Sequence, residues 1–357
     1  MQDQRPVSLR EHTRRRDALP RRAAPARGNR PRCTGYSRIV SRLDAFAAAV
    51  ILSAPVAAQA AVEAAAVVQI SGLENTYPAW SPDGTKIVFE STRDGPDADI
   101  FVMNADGTSV VQLTDNDVGE STPSFTPDGR FVIYTSEQDG NPDIFRMSVD
   151  GTGKLNLTKH PGADGHPRVS PDGRRIFFNS NRTSDPASFA RGTMERDQNH
   201  EIFSMTLDGG DVRQVTDLPD WDTYPAISPD GRELLWRRIT PTGGKSESGR
   251  NSEVFWMDLE SGEMRNITNN QAYDGWPAWS PDGRRIAFAS NRANAAFEAF
   301  DIYVAERDGS NATRVTFGDG VDGRGSWTKP WFSADGKRIL CTRSLGTSVD
   351  IFVVELK

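Results

Sequence analysis

The chain has 357 residues with 42 basic and 49 acidic side chains, placed unevenly: residues 1–60 hold 12 arginines and four acids, leaving 30 basic and 45 acidic residues in the remainder. An acidic body of this size argues against nucleic acid as a main partner, because phosphate binding needs a basic surface, and against adhesion to anionic lipid. Of its two cysteines, Cys33 lies in the basic N-terminal segment, so removal of that segment would leave Cys341 alone with no intramolecular disulfide, and no Cys/His grouping has zinc-ligand spacing; packing and ladder hydrogen bonds must then hold the fold.

In chain order, residues 1–42 are rich in Arg, Pro and Ala and show no apolar period, a composition that buries too little surface to fold. An apolar run, Ala45–Leu52, follows, and then the small residues Ser53–Ala60. A basic segment, a short apolar run and a small-x-small site read as a secretion signal cleaved after Ala60. The expected division is therefore a disordered basic leader with a signal peptide at 1–60 and a folded unit at 61–357. The apolar run is shorter than the ~20 residues that cross a bilayer, so no stable membrane insertion is expected after cleavage; an uncleaved anchor is the alternative. The predicted location is periplasmic or extracellular.

From residue 67 onward one pattern recurs. The turns Ser81-Pro82-Asp83-Gly84, Thr126-Pro127-Asp128-Gly129, Ser170-Pro171-Asp172-Gly173, Ser228-Pro229-Asp230-Gly231, Ser280-Pro281-Asp282-Gly283 and Ser333-Ala334-Asp335-Gly336 are spaced by 44 to 58 residues. Pro presets φ, Asp bonds the local backbone and Gly accepts positive φ, so each closes a tight hairpin. Each turn stands between a short run such as Pro78-Ala79-Trp80 and an apolar run such as Ile87-Val88-Phe89. A third run opens with an acid, as in Asp99-Ile100-Phe101, and a fourth ends in an apolar residue plus Thr, as in Leu113-Thr114. Each repeat is thus four short strands, a to d. The middle strands are apolar on consecutive residues, which means both sheet faces are covered. An all-β, six-bladed β-propeller satisfies this, because every blade packs between two neighbours. Six c-strands precede only five d-strands, and Val67-Val68-Gln69-Ile70-Ser71 aligns with Val110–Thr114. The N-terminal strand is therefore expected to complete the last blade and close the ring.

The run Pro78-Ala79-Trp80-Ser81-Pro82-Asp83-Gly84, then Ile87-Val88-Phe89, then Asp99-Ile100-Phe101-Val102-Met103-Asn104, then Gln112-Leu113-Thr114 resembles the propeller repeats of the TolB family, and the likeness extends over residues 67–357. It implies the propeller fold and export. The additional α/β domain that precedes the propeller in TolB has no counterpart in residues 1–66.

Loop lengths set the two faces apart. The c–d segment and the a–b turn are constant, whereas the b–c and d–a connections vary, with insertions at Thr183–His200, Thr240–Ser252, Ala293–Phe300 and Phe317–Trp327. All four fall at one end of an up-and-down ring, and variable loops on a rigid scaffold are where binding concentrates. At that end the position before each strand-a proline reads Tyr77, Thr122, His166, Tyr224, Trp276 and Lys329, and the position three before it reads Asn75, Glu120, Asp164, Asp222, Asp274 and Trp327. The candidate ligand- or partner-binding residues at the channel mouth are thus Glu120, Asp164, His166, Asp222, Tyr224, Asp274, Trp276, Trp327 and Lys329. The set suits a cationic or sugar-like ligand or a partner's peptide; the competing reading is that the acids cap their own loops and the aromatics pack between blades. The recurrent Arg93, Arg182, Arg292 and Arg343 are expected to pair with the acid opening strand c or with a neighbouring blade.

No Gly-x-Ser-x-Gly elbow and no phosphate loop occurs. The expected function is a non-enzymatic binding or scaffold module for a protein or cell-envelope ligand, acting as a monomer and without cofactor or metal. The alternative is a propeller lyase or hydrolase acting on a carbohydrate-like substrate at the channel mouth, with His166 and His200 beside Asp164 or Glu195.

Overall fold

Consecutive apolar residues dictate a strand buried on both faces, and that is how the b-strands sit: Ile87, Val88 and Phe89 are fully enclosed, as are Ile286, Ala287 and Phe288. A computed structural model describes residues 64–69, 74–184, 199–218, 220–240, 251–293, 299–317 and 325–357. Among these there is no helix, and none long and apolar enough to cross a membrane.

Strand β1 (Ala64–Gln69) comes first. Blade 1 follows as β2 (Asn75–Trp80), β3 (Lys86–Ser91), β4 (Asp99–Asn104) and β5 (Val111–Gln112). Blade 2 is β6 (Glu120–Phe125), β7 (Phe131–Ser136), β8 (Asp143–Ser148) and β9 (Leu155–Asn156). Blade 3 is β10 (Asp164–Val169), β11 (Arg175–Ser180), β12 (Glu201–Thr206) and β13 (Arg213–Gln214). Blade 4 is β14 (Trp221–Ile227), β15 (Glu233–Thr240), β16 (Asn251–Asp258) and β17 (Met264–Asn266). Blade 5 is β18 (Asp274–Trp279), β19 (Arg285–Ser290), β20 (Asp301–Glu306) and β21 (Thr313–Arg314). Blade 6 is β22 (Ser326–Phe332), β23 (Arg338–Leu345) and β24 (Ser348–Leu356), and its fourth strand is β1, antiparallel to β24 with Val67 opposite Val354 and Gln69 opposite Phe352. The expected closure is therefore present.

The first strand of each blade touches the first strand of the next, all the way round from β2 to β22 and back, so six a-strands enclose the axis. Six apolar clusters hold the ring, one per junction between neighbouring blades; Trp80, Phe89 and Phe101 of blade 1 meet Leu340, Ile351 and Val353 of blade 6 across the final one. The blades also lock at their outer turns. A Cβ on Gly151, which has φ of 83°, would stand 2.8 Å from the carbonyl oxygen of Leu113 in the preceding blade. Only glycine permits that approach.

The repeated side chains carry local bonds. Ser81 Oγ donates to Asp83 Oδ1 at 2.6 Å, and Asp83 accepts the backbone N–H of Thr85 at 3.0 Å. These hydrogen bonds stabilise the carboxylate and hold Asp83 down at about 2. In blades 1 to 5 the d-strands are only two or three residues long because a threonine extends them by side chain. Thr114 Oγ1 accepts the N–H of Ile100 at 2.8 Å and donates to Asp99 at 3.1 Å, and Thr158, Thr216, Thr268 and Thr316 repeat the arrangement in their own blades.

Candidate functional site

Each a-strand carries a β-bulge at its proline. In blade 1, Thr76 faces Glu90 and Ala79 faces Val88, so Tyr77 and Pro78 together oppose Phe89 alone. The same slip occurs in the other five blades. Proline suits the bulge because it has no N–H to offer the ladder. The residue before it takes the left-handed conformation in all six blades: Tyr77, Thr122, His166, Tyr224, Trp276 and Lys329 have φ between 48° and 57°. That conformation costs a non-glycine residue on the order of 1–2 kcal/mol, and a bulge re-aims its side chain.

Here the side chains are aimed across the channel. Tyr77 and Tyr224, from the diametrically opposed blades 1 and 4, share a hydrogen bond between their hydroxyls at 2.6 Å. The His166 ring lies 3.8 Å from that of Tyr224, and Trp276 meets Tyr224 edge-on at 5.8 Å. The Lys329 ammonium sits 3.5 Å from the centre of the Tyr77 ring and donates to Thr76 Oγ1. Behind this layer, one b-strand residue per blade supports it in four blades. Glu90 accepts the Thr122 N–H at 2.9 Å, Thr135 bonds Thr122 at 3.0 Å, Asn179 bonds His166 Nδ1 at 2.6 Å, and the Arg237 guanidinium lies 4.5 Å from the Tyr224 ring centre. Burial pushes Glu90 up and Lys329 down, while their opposite charges oppose both shifts. Burial holds His166 down at about 3, so the ring is neutral.

One step along the strands, past the prolines, the channel widens into a cavity of about 410 Å³. Its floor is Tyr77, Tyr224, Trp276 and Lys329; its walls include Phe125, Arg168, Trp331 and Trp279; its rim is the proline of the a–b turns, Pro82, Pro127, Pro171, Pro229 and Pro281. The cavity therefore lies toward the a–b turn end, and the bulge layer separates it from the end that carries the long loops.

The sequence-predicted residues divide accordingly. Tyr224, Trp276 and Lys329 come together at the cavity floor, with His166 packed against Tyr224. The acids do not stand open at a mouth. Asp164, Asp222 and Asp274 are completely buried and bound to Arg182, Arg238 and Arg292 with shortest N–O distances of 2.8, 2.7 and 3.0 Å. Glu120 is buried, accepting from Asn116 at 2.7 Å and Ser136 at 3.0 Å, and Trp327 is buried beneath the Arg343 guanidinium at 4.9 Å. Burial pushes Asp164 up to about 6 against the pull of Arg182. The expected pairing of the recurrent arginines with the acid of strand c is thus corrected. Arg182 and Arg292 reach back to strand a, and Arg93 bonds Asn75 there at 2.5 Å, because each guanidinium is held 4.9–5.2 Å from the centres of two aromatic rings of its blade. The c-strand acids hold the threonines of strand d instead. His200 is fully buried against Trp221, neither ring nitrogen is bonded to any of the described residues, and burial pushes it down to about 4. Among the described residues no group of three or more His, Cys, Asp or Glu is placed to hold a metal. Glu195 and the central parts of the four insertions, residues 185–198, 241–250, 294–298 and 318–324, lie outside the described residues.

Sequence reasoning passed over Arg168 and Trp331. The signal was available: the position after each strand-a proline reads Ala79, Ser124, Arg168, Ala226, Ala278 and Trp331, and the two large residues break a small-residue pattern. They belong to opposed blades, and the Arg168 guanidinium lies 4.7 Å from the Trp331 ring centre across the channel.

The chain matches the TolB beta propeller domain over residues 56–184 and 243–357. It is 26% identical over 232 residues to the uncharacterized peptidase YuxL of Bacillus subtilis, covering 64% of this chain and 24% of the relative. With uncharacterized protein Atu1656 of Agrobacterium fabrum it shares 30% identity over 219 residues, 60% of this chain and 55% of the relative. The chain thus spans about a quarter to about half of these curated relatives. Among solved structures, TolB from Acinetobacter baumannii superposes with a TM-score of 0.54 at 18% identity, covering 81% of this chain and 66% of that one. The oligogalacturonate lyase of Vibrio parahaemolyticus does so with a TM-score of 0.52 at 13% identity, covering 81% and 93%. Likeness at such identities is likeness of fold.

Proposed function

The chain belongs to the TolB β-propeller domain family, and from that premise we propose that it is an exported, non-enzymatic binding module, monomeric, that engages a protein or cell-envelope partner through the face carrying the long b–c and d–a loops. Residues 1–60 serve as its leader, removed near Ala60.

The observation that carries this reading is the layer of Tyr77, His166, Tyr224, Trp276 and Lys329 across the channel. It closes the channel on the side of the long-loop end, and variable loops on a rigid scaffold suit a macromolecular partner. The site chemistry agrees: His166 is neutral and bonded, and Asp164 is held by Arg182, so neither is free to move protons. The lyase or hydrolase reading rests on the nearness of His166 and His200 and on a fold shared with a lyase.

The test is capture from envelope extract by the intact protein and by a form shortened at 185–198 and 241–250. Capture of a defined partner that the shortened form loses is the expected result, together with a mature protein that begins at Ala61. Equal capture by both forms rejects the loop face. Turnover of a glycan library, lost in His166→Ala, would replace the binding reading with the enzymatic one.

A further inference from the structure

The cavity at the a–b turn end holds two cations with different partners. Lys329 has the buried carboxylate of Glu90 to balance it, and the two groups act on each other electrostatically. Arg168 has none. A guanidinium offers five N–H donors, and the acceptor that Arg168 reaches among the described residues is the carbonyl of its neighbour Pro167, at 2.9 Å. No carboxylate lies within ion-pair distance of it among the described residues, and the acidic groups nearest to it electrostatically are the hydroxyls of Tyr77 and Tyr224 on the cavity floor. Every other arginine that this a-strand layer engages, from Arg182 to Arg292, is paired with an acid or anchored in a hydrogen-bond network.

An unpaired cation held among tryptophan, tyrosine and proline is expensive unless an anion completes it. The surroundings describe that anion further. The cavity is closed at its floor by the Tyr77–Tyr224 bridge, so it receives the end of a ligand rather than a thread passing through. Its walls are flat aromatic faces and proline rings, which fit a planar or apolar body. Its volume of about 410 Å³ is in the range of small-molecule sites. The Arg168 guanidinium, 4.7 Å from the Trp331 ring centre, is a planar fork of donors, which favours a planar, two-oxygen acceptor over a point charge.

We propose that this cavity is a binding site for a small organic acid, with its carboxylate on Arg168 and its apolar body against Trp276 and Trp331. The site is separate from the partner face at the long-loop end, and either can fail without the other.

Hippurate, an aromatic body carrying one carboxylate, is the probe, and its uncharged counterpart hippuramide is the control. Binding is read from tryptophan fluorescence, since Trp80, Trp276, Trp279 and Trp331 all line the cavity, and from calorimetry. Hippurate is expected to bind at least tenfold more tightly than hippuramide. Arg168→Met should remove that preference, and Arg168→Lys should retain part of it, because the charge survives but the planar fork does not. Equal affinity for acid and amide in the unaltered protein overturns the proposal, and so does an Arg168→Met variant of unchanged melting temperature that still prefers the acid. If Arg168→Met does not fold, the acid–amide comparison in the unaltered protein and in Arg168→Lys decides alone. Binding confined to an acidic peptide, with hippurate inert, also overturns the assignment to a small acid.

Discussion

His200 shows how far a residue's meaning depends on what surrounds it. In sequence it is a histidine in a long loop beside other polar groups, hence a candidate for proton transfer. In the fold it is fully enclosed, edge-on to Trp221 at 5.4 Å, with both ring nitrogens unbonded among the described residues. Its pKa falls to about 4 because burial penalises the charged form. In the unfolded chain it takes up a proton below its ordinary value of 6.5, while the folded form stays neutral down to about 4. Stability is therefore lost as pH falls through that window. A difference of this size amounts to about 3 kcal/mol. His200→Phe keeps an aromatic ring against Trp221 and removes the titration. Between pH 7 and pH 4.5 the variant should lose clearly less stability than the unaltered protein, by up to about 3 kcal/mol in urea titrations; parallel curves would contradict this account of the side chain. Asp164 and Glu201, both raised by burial, work in the opposite sense in the same range and are common to the two proteins, so the comparison isolates His200. The acids teach the same lesson. The positions of Asp164, Asp222 and Asp274 in the repeat were legible, but their enclosure was not, because it depends on an arginine 16 or 18 residues further on whose direction is set by aromatic rings of two other strands.

At the level of the strand the sequence was far more informative. The a–b turns, the buried b-strands and the acid-led c-strands lie where the repeat placed them, because proline, glycine and consecutive β-branched or aromatic residues act locally. The bulge was less legible: x-Pro signals an irregular strand but not that tyrosine, threonine, histidine, tryptophan and lysine would all accept positive φ. Strand β1 is the element whose loss should matter most. It covers the free edge of β24 through five residue pairs from Ala64 to Gln69. Deleting residues 61–72 exposes that edge, which then seeks another strand. A melting temperature lower by about 10 °C or more is expected, from several lost ladder bonds at about 2–4 °C per kcal/mol, with oligomers visible on a sizing column. An unchanged melting temperature and elution volume would show that the strand is dispensable.

Across the whole molecule, the ring has two unlike ends separated by one layer of side chains. The Tyr77–Tyr224 bridge ties blade 1 to blade 4 across the channel by side chains alone. Replacing both by alanine should breach the floor, so that the indoles of Trp276 and Trp331 are reached from both ends. Acrylamide quenching of tryptophan fluorescence should rise, whereas replacing both by phenylalanine should leave quenching nearly unchanged and cost about 1 kcal/mol for the lost hydrogen bond. Equal quenching in the alanine form would mean that the channel is blocked elsewhere. The seam between β1 and β24 has a consequence in time as well as in space. Val67 waits for Val354, a partner from the far side of all six blades in chain order. The slowest contact to form is thus also the one that locks the ring, and until it forms the blades remain an open arc. A chain that must pass a membrane unfolded, as the proposed leader requires, gains from such a clasp: it cannot shut before the last blade has been made, and transport has to outrun only that final fastening.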